Sequence, residues 1–347
     1  MPESLAILDD YQNIAPAHFA HLASRITISY FPETLDPRDP SQQDELVARL
    51  QPFTVILAMR ERTPFSKETL SRLPNLKLLL TTGTRNRALD VGYCSSRGIP
   101  VAGTESRLPA GGKGVPSTVQ HTWGLILGLA RHIARDDKAV KNGGWQGSLG
   151  MSLSGKKLGL VGLGKLGGAV GKIAHEVFGM EVFAWSANLT QEKADEMAVG
   201  LGLQKGDFMV VRDKLEFVGL VDVLSVHYVL SERSRGVIGE KELKAMKKEA
   251  LLVNTSRGPL VDEDALLETL KRGGIAGAAL DVFETEPLPQ DSAWRTTEWG
   301  VDGRSEVLLT PHMGYGDEKI HDWYEEAARN LERWLNGEQL QTLLSQS

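Results

Sequence analysis

Apolar residues in this chain gather in short unbroken runs separated by polar stretches. Residues 4–8, 53–59 and 76–81 are such runs, the pattern of strands buried on both faces of a parallel sheet. Between them, 44–50 and 67–73 carry apolar residues at helical spacing, so strand and helix alternate as βαβ units. The alternation stops at residues 106–116, Ser-Arg-Leu-Pro-Ala-Gly-Gly-Lys-Gly-Val-Pro. So much Gly and Pro cannot form a regular element, and the stretch reads as a linker or hinge. A long apolar helix then runs over 117–131 from a capping Ser117, and a second reaches Lys141 before Gly143-Gly144-Trp145 ends it. The βαβ pattern resumes with a strand from Lys157, a helix over 166–178 and a strand over 181–185, and further strands are expected at 221–226, 251–254, 277–280 and 307–309. An amphipathic helix over 318–335 is too short for a further domain and is expected to pack against the first one.

The fold class is therefore α/β, with two parallel-sheet domains, since 347 residues exceed what one core usually serves. The insertion at 287–306 holds Trp294 and Trp299, which are expected to cover a cleft or contact a partner subunit. A net charge of −6 without basic clusters argues against nucleic acid as a partner. No apolar run approaches the roughly 18 residues of a membrane span, so no membrane partner is expected. The N-terminal residues show no secretory pattern. The single cysteine, Cys94, rules out an internal disulfide and any Cys-cluster metal site, so a cytoplasmic, reducing setting is expected and the thiol reads as inert. No metal is expected.

Gly162-Leu163-Gly164-Lys165-Leu166-Gly167 follows an apolar strand and opens a helix, the context that gives a GxGxxG pattern meaning. The first glycine permits a tight turn, the second lets a pyrophosphate approach the backbone, and the third lets helix and strand pack closely. This marks a dinucleotide site. About 20 positions on, NAD binders place an acid for the ribose 2′-hydroxyl, but here the segment reads Trp185-Ser186-Ala187-Asn188-Leu189-Thr190. Ser186 and Asn188 would not repel a 2′-phosphate, so NADP(H) is the preferred cofactor and NAD(H) the alternative. The bland reading of Ser186 is a cap for the next helix.

Three segments place polar residues just beyond apolar strands, the edge where open α/β sheets bind ligands. They are Val253-Asn254-Thr255-Ser256-Arg257-Gly258, Leu280-Asp281-Val282-Phe283-Glu284-Thr285-Glu286-Pro287 and Leu309-Thr310-Pro311-His312-Met313-Gly314. Jointly they suit carbonyl reduction, which needs a cation for the acid's carboxylate, a proton donor titrating near neutrality and a carboxylate to hold that donor protonated. With the glycine loop, these segments make the chain resemble the D-isomer-specific 2-hydroxyacid dehydrogenase family over nearly its full length.

The resemblance implies two Rossmann-like domains: a discontinuous substrate domain of 1–107 and 315–347, and a central dinucleotide-binding domain of 108–314, with the active site between them. It implies reduction of 2-keto acids to D-2-hydroxy acids by NAD(P)H. Arg257 would grip the carboxylate and polarise the keto oxygen, His312 would be general acid in reduction, and Glu286 would hydrogen-bond His312 and favour its imidazolium. Asp281 would contact the nicotinamide end, and Thr255, His227 and Gly314 would line the cofactor groove with Gly162, Gly164, Lys165, Leu166, Gly167, Ser186 and Asn188. Residues Thr82-Gly83-Thr84 resemble the substrate loop whose N–H groups take the other carboxylate oxygen, while Met59, Arg60 and Tyr315 are candidates for the pocket wall. A homodimer built through 117–145 is implied too. His121 and His175, within helical runs, read as packing or surface residues. The rival reading is a nucleotide-sensing, corepressor-like binding protein of the same fold. Glu286 disfavours a formate dehydrogenase, where a glutamine stands, and a phosphoglycerate dehydrogenase with a regulatory domain would need more chain than 347 residues.

Overall fold

The computed structural model describes residues 2–105 and 114–344. It forms two compact units, Met1–Lys113 with Gly316–Ser347, and Gly114–Tyr315. Most of the stretch read as a hinge, and the boundary expected after residue 107, lie outside the described residues.

The first unit is a five-stranded parallel sheet of β1 (Ser4–Leu8), β2 (Thr27–Phe31), β3 (Val55–Ala58), β4 (Leu78–Thr81) and β5 (Val101–Ala102), in the order β2-β1-β3-β4-β5. Val55-Ile56-Leu57-Ala58 and Leu78-Leu79-Leu80-Thr81 are buried at every position. This is why they read as unbroken apolar runs. The edge strand β2 escaped that pattern because Thr27 and Tyr30 face solvent. The helix Ile320–Leu335 buries Ile320, Trp323, Tyr324, Ala327, Ala328 and Leu331, one stripe at three- and four-residue spacing. It belongs to this unit: Asn330 donates to the Gly103 carbonyl at 3.2 Å, and Leu344 N–H donates to Val101 O at 2.9 Å.

The second unit is a seven-stranded parallel sheet of β6 (Lys157–Val161), β7 (Glu181–Trp185), β8 (Phe208–Val210), β9 (Val223–Val226), β10 (Leu251–Asn254), β11 (Gly277–Leu280) and β12 (Glu306–Leu309), in the order β12-β11-β10-β9-β6-β7-β8. The strand order reverses between β6 and β9, the switch point where doubly wound sheets bind ligands. The helix Ser117–Ala130 lies close against β11 and β12. A Cβ on Gly277 would come 3.1 Å from Leu129, and one on Gly128 would come 2.9 Å from Leu308, so small residues set the approach. His132, at φ 55°, ends this helix and lets Ile133–Lys141 start as a separate one.

In the insertion, Trp294 is buried, its ring 6.4 Å from Phe283 and 5.9 Å from Trp299, and Trp299 Nε1 donates to the Trp294 carbonyl at 3.1 Å. Trp294 lies in the unit's own core and Trp299 packs against it partly buried. Among the described residues, no helix is long and apolar enough to cross a membrane, and no cluster of His, Cys, Asp and Glu is arranged to hold a metal.

Candidate active site

The glycine loop joins β6 to the helix Lys165–Glu176, and its glycines divide the work. Gly162 has φ 97°, and a Cβ there would meet the His227 carbonyl oxygen at 2.7 Å. On Gly167 a Cβ would come 2.3 Å from the Gly162 carbonyl oxygen, so strand and helix touch through bare backbone. A Cβ on Gly164 would meet nothing within 4 Å, and Gly164, Lys165 and Leu166 are exposed. Nothing among the described residues requires glycine at 164. Open space beside a helix N-terminus suits a pyrophosphate drawn to partial positive charge and backbone N–H donors, and the residues present therefore fit a dinucleotide.

His227 packs its backbone against this loop, donating N–H to Val161 O at 2.8 Å, while its Nε2 pairs with Ser225 Oγ at 2.8 Å. Burial holds its imidazole down at about 4, so it is neutral at physiological pH. Ser186 and Asn188 lie beyond β7 in a turn closed by Leu189 N–H to the Ser186 carbonyl at 3.1 Å. Ser186 does not cap the following helix. Thr190 does, accepting from Lys193 N–H at 3.4 Å.

Beyond β10, Asn254 shapes the turn that presents Arg257. Its Oδ1 accepts from Ser256 N–H at 3.0 Å and its Nδ2 donates to the Arg257 carbonyl at 2.9 Å. Arg257 is half-buried, with Nη1 donating to the Ser256 carbonyl at 2.8 Å. Gly258 then allows close packing on the next segment, since a Cβ there would lie 2.0 Å from Phe283 backbone atoms. That segment carries Glu286, whose Oε1 accepts from Phe283 N–H at 2.9 Å and whose Oε2 pairs with His312 Nδ1. His312 sits in the left-handed region at φ 54° and donates its N–H to the Asp281 carbonyl at 2.8 Å. The Tyr315 ring stands edge-on to the imidazole at 5.8 Å. Arg257, Glu286 and His312 thus all rise from the carboxyl ends of neighbouring strands β10, β11 and β12.

Asp281 organises the loop that carries His312. Its Oδ1 accepts from Thr310 Oγ1 at 2.7 Å and Met313 N–H at 2.8 Å, and its Oδ2 from Gly314 N–H at 2.8 Å. Burial alone would push this carboxyl up, but hydrogen bonds from His121, Thr310, Met313 and Gly314 hold it below the usual range. Thr255 is engaged as well, its Oγ1 2.8 Å from Thr122 Oγ1. Sequence reasoning missed His121, whose Nε2 lies 3.1 Å from Asp281 Oδ1 and 3.0 Å from Thr310 Oγ1. A lone histidine on an apolar helix carries no local signal, and only the fold brings it to β11. His175 is a surface residue, 3.6 Å from Asp207.

In the first unit the 82–84 segment follows β4. Thr82 N–H already donates to Ala58 O at 3.2 Å, and Gly83 N–H to Thr104 Oγ1 at 2.8 Å. Both residues are buried, whereas Thr84 is exposed. Met59 is also buried, its sulfur 3.2 Å from Thr82 Oγ1. Arg60 takes φ 50°, donates N–H to Thr82 Oγ1 at 3.0 Å, and holds its guanidinium over Gly83 and 5.6 Å from the Trp323 ring.

Known proteins resemble this chain over most of its length. Residues 123–314 match the model of the D-isomer specific 2-hydroxyacid dehydrogenase NAD binding domain. A glyoxylate reductase of Thermococcus litoralis is 34% identical over 282 residues, 78% of each chain. A crystal structure of a phosphoglycerate oxidoreductase from Vibrio cholerae is 32% identical with a TM-score of 0.79, covering 97% of this chain and 100% of that one. D-lactate dehydrogenase from Aquifex aeolicus, complexed with NAD and lactic acid, is 25% identical with a TM-score of 0.68, covering 96% of both chains. The chain belongs to the D-isomer-specific 2-hydroxyacid dehydrogenase family. It is accordingly a nicotinamide-dependent oxidoreductase acting on the CH–OH group of 2-hydroxy acids and, in the reverse sense, on 2-keto acids. The corepressor-like alternative finds no support among these relatives.

Proposed function

We propose that this protein is an NADPH-preferring reductase of small 2-keto acids, forming D-2-hydroxy acids. The observation that carries the reading is the Glu286–His312 pair on adjoining strand ends, with Arg257 on the next strand. Bound nicotinamide dinucleotide supplies the reducing equivalents. Arg257 holds the substrate carboxylate with its planar fork. His312 protonates the keto oxygen through Nε2, because Nδ1 is held by Glu286. Glu286 fixes the ring's orientation, itself steadied by Phe283 N–H. Asp281, with His121 and Thr310, keeps the His312 loop in place, and Thr82, Gly83 and Thr84 form the loop that contacts the substrate.

The glyoxylate and lactate named for the relatives put small acids first. The D configuration rests on the family description, and the NADPH preference on Ser186 and Asn188 standing where an acid would select NAD. A cytoplasmic setting goes with the single cysteine, which burial pushes up to about 11 and so keeps unreactive. A homodimer through 117–145 completes the reading. Replacing Arg257 with Ala removes a charge-assisted carboxylate contact and is expected to lower kcat/KM for glyoxylate by about 10²- to 10³-fold. An Arg257→Ala enzyme with native kcat/KM would refute the assignment.

A further inference from the structure

The turn that stands where NAD selectivity is normally set lacks an acid, but Ser186 and Asn188 carry no positive charge to hold a phosphate. The missing charge comes from the neighbouring strand. β7 and β8 pair in parallel with Ala184 opposite Val210, and Val211 N–H continues the ladder to Ala184 O at 3.2 Å. Two residues further along both strands, Arg212 comes level with Ser186 at the carboxyl edge of the sheet. Trp185 Nε1 donates to the Arg212 carbonyl at 3.2 Å, pinning the backbone of 212 to the start of the 185–190 turn. Arg212 is exposed, and among the described residues no hydrogen bond or ion pair engages its guanidinium.

Its charge reaches the far side of the same turn. Glu192, in the first turn of the helix Gln191–Gly200, is held below the usual carboxylate range by backbone and Thr190 hydrogen bonds, and Arg212 adds to that effect. Lys214, two residues on, is not available in this way. Its Nζ is 2.7 Å from Glu242 Oε1 and 2.8 Å from the Val237 carbonyl, and lies 5.4 Å from the Trp185 ring centroid. Lys193 is exposed but stands on the next helix, past the Thr190 cap.

We infer that Arg212, from the end of β8, is the residue that recognises the 2′-phosphate of the dinucleotide, with Ser186 and Asn188 as its neutral partners. The inference rests on the NADPH reading above. It deepens that reading by assigning selectivity to a residue outside the segment after β7. An arginine fork can meet two phosphate oxygens at once, which lysine cannot.

Calorimetry on the intact protein with 2′,5′-ADP and 5′-ADP reads this contact without turnover. Native protein is expected to favour 2′,5′-ADP, and Arg212→Ala to weaken 2′,5′-ADP by about 10- to 100-fold while changing 5′-ADP by less than about 3-fold. Arg212→Lys should recover part of the loss, and Lys193→Ala, the charge control, should change 2′,5′-ADP by less than about 3-fold. If native protein favours 5′-ADP, the NADPH reading fails and the role of Arg212 falls with it. If native protein favours 2′,5′-ADP but Arg212→Ala binds it normally, the role of Arg212 alone is overturned. An equal loss for both nucleotides, or an equal loss in Lys193→Ala, overturns it as well.

Discussion

Asp281 and Glu286 are both carboxylates beyond the same strand, yet their surroundings give them different tasks. Asp281 is buried and saturated by a hydroxyl, an imidazole and two backbone N–H groups, so it shapes the chain at 310–314. Glu286 keeps one oxygen on Phe283 N–H and the other on the imidazole of His312. His227 shows environment acting in the opposite direction: burial holds it near 4, against an ordinary 6.5. The unfolded chain therefore binds a proton there between pH 6.5 and 4 that the folded chain refuses, so stability falls with pH across that window and levels off below it. His227→Gln is expected to flatten the unfolding free energy over this range by up to about 3 kcal/mol, read by urea denaturation at each pH. An unchanged pH slope would show that His227 is not the group responsible. The motif residues were legible because each follows an apolar strand. The occupied N–H groups of Thr82 and Gly83 were not, since they depend on Ala58 and Thr104, distant along the chain.

Among elements, strands covered on both faces, such as β3, β4 and β10, could be read directly, because burial on two sides requires an unbroken apolar run. The edge strand β2 and the three-residue β8 could not, having an open face or too little length. The glycine loop was legible as a motif, and its second glycine was already expected to face a pyrophosphate and its third to pack helix on strand. The structure separates them. Gly167→Ala forces a Cβ to within 2.3 Å of the Gly162 carbonyl, and should destabilise the fold by about 1–3 kcal/mol. Gly164→Ala meets no atom within 4 Å among the described residues, so thermal stability should hold while dinucleotide affinity drops, as read by cofactor fluorescence titration. Equal stability losses in the two variants would contradict this division.

At the scale of the molecule, the stretch from Ile133 to Leu149 stands out for apolar exposure. Ile133 is 58% exposed, Val140 54%, Trp145 78% and Leu149 95%, more apolar surface than a solitary subunit usually leaves in one stretch. This supports the proposed dimer, and Trp145→Glu should shift the native dimer to monomer in light scattering; a native monomer would remove that proposal. The central claim is proton transfer by His312, and it is tested most directly by initial rates of NADPH oxidation with glyoxylate for native protein and His312→Gln, alongside their dinucleotide affinities. The variant is expected to have a kcat lower by about 10²- to 10⁴-fold, with dinucleotide affinity within about 3-fold of native. Native turnover in His312→Gln would contradict it.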